Sequence, residues 1–286
     1  MKAITLTKEK FSSLHQLYFP YLNTEGRLFV LNDNLLFKRL YRDEGEVFGN
    51  KLLTLNTLID NREILNDNNL ILPEKIVLVD KKVVGFSMPY IKDNISLMVL
   101  LDDKGIALEE KVKYLKKVGN ILENVQNVSK FKDNFFLGDV QPTNFVIDSK
   151  NFKLNDLYAV DVDSCRIGDN LPFPSHILTT NFNIREHKKY KLSKNGLIEP
   201  NANTEWFCYN IMILNFISKF NINSLSESKF NDYIQYLEDI GLNKDLVNCF
   251  SKLYSKDENN INPRDMLDSI GENIDKADYG EFRKKL

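Results

Sequence analysis

The sequence has few of the residues that build disulfide frameworks and zinc sites. Its three cysteines, Cys165, Cys208 and Cys249, lie far apart and form no C-x-x-C pair. An odd number of widely spaced cysteines argues against a disulfide scaffold and against a zinc cluster. The three histidines form no motif either. This usage suits a reducing compartment, and we therefore expect a cytoplasmic protein.

Neither an excess of charge nor a long apolar run is present. The formal net charge is −2 in 286 residues, so the chain has no overall attraction to nucleic acid or to an anionic membrane, and we expect neither partner. No apolar run reaches the roughly 18 residues that a membrane span needs. The first residues lead into a charged segment, which is not typical of a signal peptide. With 43% hydrophobic residues, the chain can form two modest domains.

The most informative stretch reads LGDVQPTNFVI at 137–147 and is followed, after a short hairpin, by VDVD at 160–163. Asp139 can accept or orient the proton of a hydroxyl group. Asn144 and Asp161 offer the hard oxygen ligands that magnesium prefers. Apolar residues at strand spacing predict a hairpin that brings these two side chains together. We expect them to hold a magnesium ion that bridges nucleotide phosphates.

A second signal is a lysine on a strand face that should be buried. In the predicted strand Leu35–Tyr41, the side chains of Leu36, Lys38 and Leu40 share one face. An unpaired buried charge is costly, so Lys38 needs an anionic partner there. The alternative is a lysine at the edge of the sheet, with its ammonium group reaching solvent.

These residues resemble the protein-kinase-like superfamily, in particular atypical bacterial or phage-type Ser/Thr kinase domains. The catalytic loop of that superfamily reads H-x-D-x-x-x-x-N, and its metal aspartate opens a D-F-G-like triplet. Asp139 and Asn144 have the spacing of the loop, with Leu137 in place of the histidine, and the triplet at 161–163 reads Asp-Val-Asp. If the strand continues through the triplet, its two carboxylates point to opposite faces, and only the first belongs to the metal site.

The resemblance implies an α+β, two-lobed kinase-like fold with ATP and Mg²⁺ in the cleft. A small antiparallel-sheet N-lobe would span residues 1–91 and carry the nucleotide-binding sheet and one helix. A larger helical C-lobe would span residues 92–286 and carry the catalytic loop, the metal site and the activation segment. Helical spacing of apolar residues predicts two of its helices, at 107–125 and 203–217.

The resemblance also implies a lysine and a carboxylate that act together. Lys38 would bind the α- and β-phosphates, and a carboxylate on the helix predicted from about Glu44 to Ile59 would orient the lysine. Glu46 is the candidate for this carboxylate, with Glu44 as the second choice. The other interpretation of Glu46 is a solvated first-turn glutamate, which the helix dipole favours.

The run Val83–Ile91 resembles the fifth strand and hinge of a kinase. By position, Met88 would be the gatekeeper, the Pro89 carbonyl would accept from the adenine amino group, and the Ile91 amide would donate to the ring. In place of a glycine-rich phosphate loop the chain offers one glycine, Gly26, which an ordinary turn would explain equally well. The residues that could sandwich the base are Val30, Leu36 and Val146.

Two further segments match the resemblance by position. Residues 166–200 correspond to the activation and substrate-binding region. The basic run at 185–191 either docks an acidic or phosphorylated substrate or forms a solvated loop face. Glu205, at the start of the helix at 203–217, stands where the family has a residue that holds the backbone of the catalytic loop.

Three functions are compatible with these features. The first is an ATP- and magnesium-dependent protein Ser/Thr kinase that acts on a protein substrate. The second is a small-molecule kinase of the aminoglycoside or choline kinase type, favoured by Gly138 and by Gln141, which replaces the loop lysine and does weaker electrostatic work. The third is a nucleotide-binding pseudokinase scaffold, favoured by the degenerate glycine loop.

Overall fold

The computed structural model has an α+β fold, in which a sheet near the N-terminus is followed by a mainly helical part. It describes residues 2–18, 26–41, 44–150, 153–170, 190, 198–256 and 258–284.

A six-stranded sheet lies within the first ninety residues. Its strand order is β1-β5-β6-β4-β3-β2. The strands are β1 Ala3–Leu6, β2 His15–Leu17, β3 Gly26–Asn32, β4 Leu35–Leu40, β5 Lys75–Val79 and β6 Lys82–Pro89. β1 runs parallel to β5, whereas the other neighbours are antiparallel. The prediction of a purely antiparallel sheet is therefore wrong, because a four-residue strand carries too little periodicity to be recognised in the sequence.

Strand β4 carries Lys38, the predicted phosphate-binding residue. It lies between β3 and β6, and a glycine on each neighbour permits the close approach. A Cβ atom on Gly85 of β6 would lie 1.9 Å from the carbonyl oxygen of Lys38, and one on Gly26 of β3 would lie 2.3 Å from that of Arg39. Gly26 is the first residue of β3. The interpretation of Gly26 as a turn glycine is therefore wrong.

The remaining elements follow in chain order. The smaller strands are β7 Asn94–Ser96, β8 Phe135–Phe136, β9 Phe145–Asp148, β10 Leu157–Ala159 and β11 Arg166–Ile167. They form a sheet of order β10-β9-β7 and the pair β11-β8. Within the described residues, the α-helices are α1 Lys8–Ser12, α2 Gly45–Asp60, α3 Arg62–Leu65, α4 Leu97–Asp102, α5 Leu108–Gln126, α6 Ala202–Ser218, α7 Glu227–Asp239, α8 Lys244–Ser251 and α9 Tyr279–Arg283.

Two apolar clusters meet at the hairpin β9–β10. The larger cluster fills the helical part and includes Leu157 and Ala159 of β10. The smaller cluster lies between the sheet and α2, and Tyr158 and Val160 pack against it. Successive residues of a strand point to opposite faces, so β10 joins both clusters. Among the described residues, no helix is long and apolar enough to cross a membrane.

Candidate active site

The loop before β9 is closed on itself by hydrogen bonds to Asp139. Gln141 Nε2 and Asn144 Nδ2 both donate to Asp139 Oδ2, at 2.7 and 2.8 Å. Asn144 Nδ2 also donates to the Asp139 carbonyl at 3.0 Å. Because the Asn144 amide donates through its nitrogen, its oxygen Oδ1 is the atom that could ligate a cation. The loop therefore fixes the carboxylate of Asp139 next to a candidate metal ligand.

Glu205 of α6 holds the backbone of this loop from the interior. Its Oε1 accepts hydrogen bonds from the Leu137 amide and, at 3.3 Å, from the Gly138 amide, while Oε2 accepts from Gln126 Nε2 at 2.8 Å. Burial raises the pKa of Glu205 to about 7, although these hydrogen bonds act in the opposite direction. The contact expected at this position is present, with glutamate as the residue that makes it.

The hairpin β9–β10 brings Asn144 and Asp161 together, as predicted. The Val160 amide donates to the Asn144 carbonyl at 2.8 Å, and Asp161 is the next residue. Asp161 has a left-handed backbone, with φ 61° and ψ 29°. Such a conformation costs a non-glycine residue on the order of 1 kcal/mol and tends to occur at functional sites. The sequence carries no signal for this conformation.

Asp139, Asn144 and Asp161 line one cleft. The remaining lining comes from Leu137, Phe145, Ala159, Val160 and Val162. Among the described residues, no group of three or more His, Cys, Asp or Glu side chains is arranged as a metal site. The candidate site instead combines the carboxylate of Asp161 with the amide oxygen of Asn144, a set of hard donors that fits magnesium.

Lys38 is buried and paired with carboxylates, as its sequence context predicts. Its side chain is 1% exposed. The ammonium group donates to Asp161 Oδ1 and to both oxygens of Asp163, at 2.9 and 3.2 Å. The alternative of a lysine at the edge of the sheet is wrong, because β4 has a neighbouring strand on each side.

Both aspartates of the triplet face Lys38. The sequence places them on opposite faces only if the strand continues through the triplet, and it does not, because β10 ends at Ala159 and residues Val162–Ser164 form a 3₁₀ turn. A second lysine, Lys51 of α2, contacts Asp163 Oδ2 at 2.7 Å. Burial alone would raise the pKa of Asp163, but the charges of Lys38 and Lys51 outweigh it and hold the pKa well below its ordinary value.

The role predicted for Glu46, which is to orient Lys38, stays a prediction. Glu46 lies in the first turn of α2, but its side chain is outside the described part of the chain. Glu44, the second choice, is the exposed N-cap residue of this helix. Lys51 was not among the predicted site residues. A signal for it existed, since Lys51 precedes Leu55 and Leu58 by four and seven residues on the buried stripe of α2.

The predicted adenine-binding residues lie mostly around the smaller apolar cluster. Leu36 and Met88 are buried members of that cluster, and Val30 and Ile91 pack against it. Leu36 pairs with Met88, and Leu35 pairs with Pro89. Val146 is half-buried on β9, opposite Tyr158. Their contacts with a nucleotide stay predictions, and the same holds for Gly26.

Much of the predicted substrate-binding region is outside the described residues. This applies to 171–189 and 191–197, and so to the basic run at 185–191 apart from Tyr190. The Tyr190 side chain is buried, and its hydroxyl accepts from Asn260 Nδ2 at 3.0 Å. Arg166, at the start of the region, donates to the Pro200 carbonyl at its end, at 3.2 Å. The two ends of the region are therefore held together.

Comparisons of the chain with known protein families and with curated proteins give no match.

Proposed function

We propose that this chain is an ATP- and magnesium-dependent phosphotransferase of the cytoplasm, with a protein serine or threonine hydroxyl as acceptor. One observation carries the proposal. Asp139, Asn144 and Asp161 line one cleft, and the buried ammonium group of Lys38 contacts Asp161 at that cleft. A base, two hard metal ligands and a cation for phosphate are the groups that phosphoryl transfer requires.

Each of these residues has a role in the proposed reaction. Asp139 orients the acceptor hydroxyl and accepts its proton, while Gln141 and Asn144 fix the carboxylate by donating to Oδ2. Asn144 Oδ1 and the Asp161 carboxylate would hold magnesium, which when bound neutralises charge on the phosphates. Lys38 positions the nucleotide by binding the α- and β-phosphates of ATP.

The proposed fold is a two-lobed kinase-like arrangement with its boundary at residues 91 and 92. The six-stranded sheet ends at Pro89, and helices dominate after Ser96. The smaller apolar cluster lies against the sheet and the larger one fills the helical part. The hairpin β9–β10, which precedes Asp161, contacts both clusters. This arrangement supports a cleft between a sheet lobe and a helical lobe.

A small-molecule kinase is the second candidate function. The Gln141 amide donates to Asp139 and so fixes the carboxylate of the proposed base. Because an amide is neutral, Gln141 supplies no positive charge to the transferred phosphate. Asp139 consequently acts without the loop lysine that protein kinases use. An acceptor that binds through its own charges would suit such a site, and a small aminoalcohol is one example.

A transfer assay with radiolabelled ATP and magnesium tests the proposal. We expect the wild-type protein to transfer phosphate, Asp139→Ala to reduce the rate by at least about a hundredfold, and Asp161→Ala to abolish transfer and magnesium-dependent nucleotide binding. The matched control is Asp268→Ala, since Asp268 is 72% exposed. Labelling of a generic protein or of an aminoalcohol distinguishes the two kinase candidates. Nucleotide binding without transfer would indicate a pseudokinase, and unchanged transfer by Asp161→Ala would contradict the site.

A further inference from the structure

Four charged side chains from three segments of the chain meet beside the cleft. Lys38 comes from β4, Lys51 from α2, and Asp161 and Asp163 from the turn after β10. The side chains of Lys38, Lys51 and Asp163 are 1%, 7% and 1% exposed, whereas that of Asp161 is 31% exposed. Asp161 therefore faces the cleft, and Asp163 lies behind it in the interior. Among the described residues, two lysines and two aspartates form this cluster.

The carboxylate of Asp163 contacts both lysines. Its Oδ1 contacts the ammonium group of Lys38 at 2.9 Å, and its Oδ2 contacts that of Lys51 at 2.7 Å. Lys51 also lies 3.4 Å from Ser164 Oγ. The buried carboxylate of Asp163 thus connects the six-stranded sheet with helix α2. Buried charges of this kind are retained only when they are paired and hydrogen-bonded, as they are here.

We propose that Asp163, neutralised from the interior by Lys51, is the positioning residue that keeps Lys38 directed at the nucleotide phosphates. The inference rests on the proposed function. A metal ion held by the carboxylate of Asp161 would compete with Lys38 for it, while Asp163, whose side chain is 1% exposed, would continue to hold the lysine. On this proposal a turn aspartate and a helix lysine hold Lys38, which is the role that the resemblance implies for Glu46.

Lys51 is needed because Lys38 has to be held in place and still be able to contact the phosphates. If Lys51 is removed, two carboxylates compete for one ammonium group, and Lys38 is drawn more strongly toward them than toward the phosphates. If Lys51 is present, its charge offsets that of Asp163, and Lys38 can share its hydrogen bonds with the nucleotide. Lys51 of α2 thus contributes a positive charge to this cluster, and Asp163 of the turn contributes the anion between the two lysines.

Kinetics of single variants test this inference. We expect Lys51→Met and Asp163→Asn each to raise KM for ATP by at least about tenfold, which corresponds to about one charge-assisted hydrogen bond. Asp163→Asn weakens the hold on Lys38, whereas Lys51→Met leaves Lys38 more strongly attracted to the two aspartates than to the phosphates. KM for the acceptor should stay unchanged, and Lys51→Arg should restore most of the ATP affinity. The exposed Lys82 provides the control Lys82→Met. Wild-type KM for ATP in Lys51→Met, or the same loss from Glu46→Gln alone, would overturn the inference.

A labelling experiment on the wild-type protein gives a test that does not depend on how the variants fold. An acyl-phosphate derivative of ATP acylates an amine that lies beside its phosphates, and the nucleotide leaves as the amide forms. We expect mass spectrometry to find the label on Lys38 and not on Lys51, with unlabelled ATP and magnesium suppressing it. Faster labelling of Lys51 would overturn the inference, because Lys51 would then face the nucleotide.

The failures of the two proposals are distinguishable. A wild-type protein that neither binds nor uses ATP overturns the proposed function together with this inference. A wild-type protein that transfers phosphate, and whose KM for ATP is unaffected by Lys51→Met and Asp163→Asn, overturns the inference alone.

Discussion

Glu205 is a buried carboxyl group that makes the stability of the loop before β9 depend on pH. Its pKa is raised to about 7, mainly by burial, from an ordinary value of 4.5. Between pH 4.5 and 7 the folded protein therefore binds more protons at this site than the unfolded chain does. By linkage, the contribution of Glu205 to the free energy of unfolding is fully present below pH 4.5 and is lost as the pH rises through 7.

Replacing Glu205 with glutamine should remove this dependence. We expect the free energy of unfolding of Glu205→Gln, relative to wild type, to increase by roughly 1 kcal/mol per pH unit between pH 5 and 7 and to level off above pH 7. Urea unfolding at pH 5, 6, 7 and 8 measures this difference, and all other titrating groups cancel because both proteins contain them. A difference that does not vary with pH would mean that Glu205 has an ordinary pKa.

At the level of single residues, the sequence predicts the buried charges better than their pairing. Lys38 between two leucines indicates a buried cation. Apolar residues at strand spacing indicate the hairpin that brings Asp161 close to Asn144. The bridge from Asp163 to Lys51 could not be predicted, because it depends on where β10 ends and on the rotation of α2 about its axis. Neither quantity is encoded in a short motif.

At the level of elements, β4 depends on two neighbouring glycines. A side chain at Gly85 would overlap the carbonyl oxygen of Lys38, so Gly85→Ala should separate β6 from β4 and displace Lys38. We expect a loss of stability of about 2 kcal/mol, comparable to overpacking of a core, together with weaker ATP binding. Thermal unfolding and nucleotide titration measure the two effects.

Gly49 provides the matched control for Gly85. It lies inside α2 and is exposed, and a Cβ atom added there would meet no atom within 4 Å. Gly49→Ala should therefore stabilise the protein by about 0.5–1 kcal/mol through helix propensity, with ATP binding unchanged. Equal effects of the two substitutions would show that the spacing of β4 and β6 does not position Lys38.

The elements that the sequence predicts well are those with long apolar periodicity. The helix expected at 107–125 is observed as α5 Leu108–Gln126, and the strand expected at Leu35–Tyr41 is observed as β4. The parallel strand β1 could not be predicted, since it has four residues and pairs with a strand about seventy residues away. Pairing over such a distance leaves no local signal.

At the scale of the whole molecule, the candidate site lies where the two apolar clusters meet. The residues of β10 alternate between the clusters, and Asp161 follows directly after this junction. Lys38 approaches from the sheet, while Asp139 and Asn144 approach from the helical part. Lys38 and Asp161, which are 123 residues apart in the chain, are thereby brought into contact beside the cleft, which is why the sequence motifs were informative only in combination.

The most direct test of the central claim is a crystal structure of the protein with a non-hydrolysable ATP analogue and Mn²⁺ in place of Mg²⁺. We expect one anomalous peak at about 2.1 Å from Asn144 Oδ1 and from a carboxylate oxygen of Asp161, with the phosphates between this ion and the Lys38 ammonium group. An ion bound elsewhere, or a nucleotide that does not contact Lys38, would contradict the account.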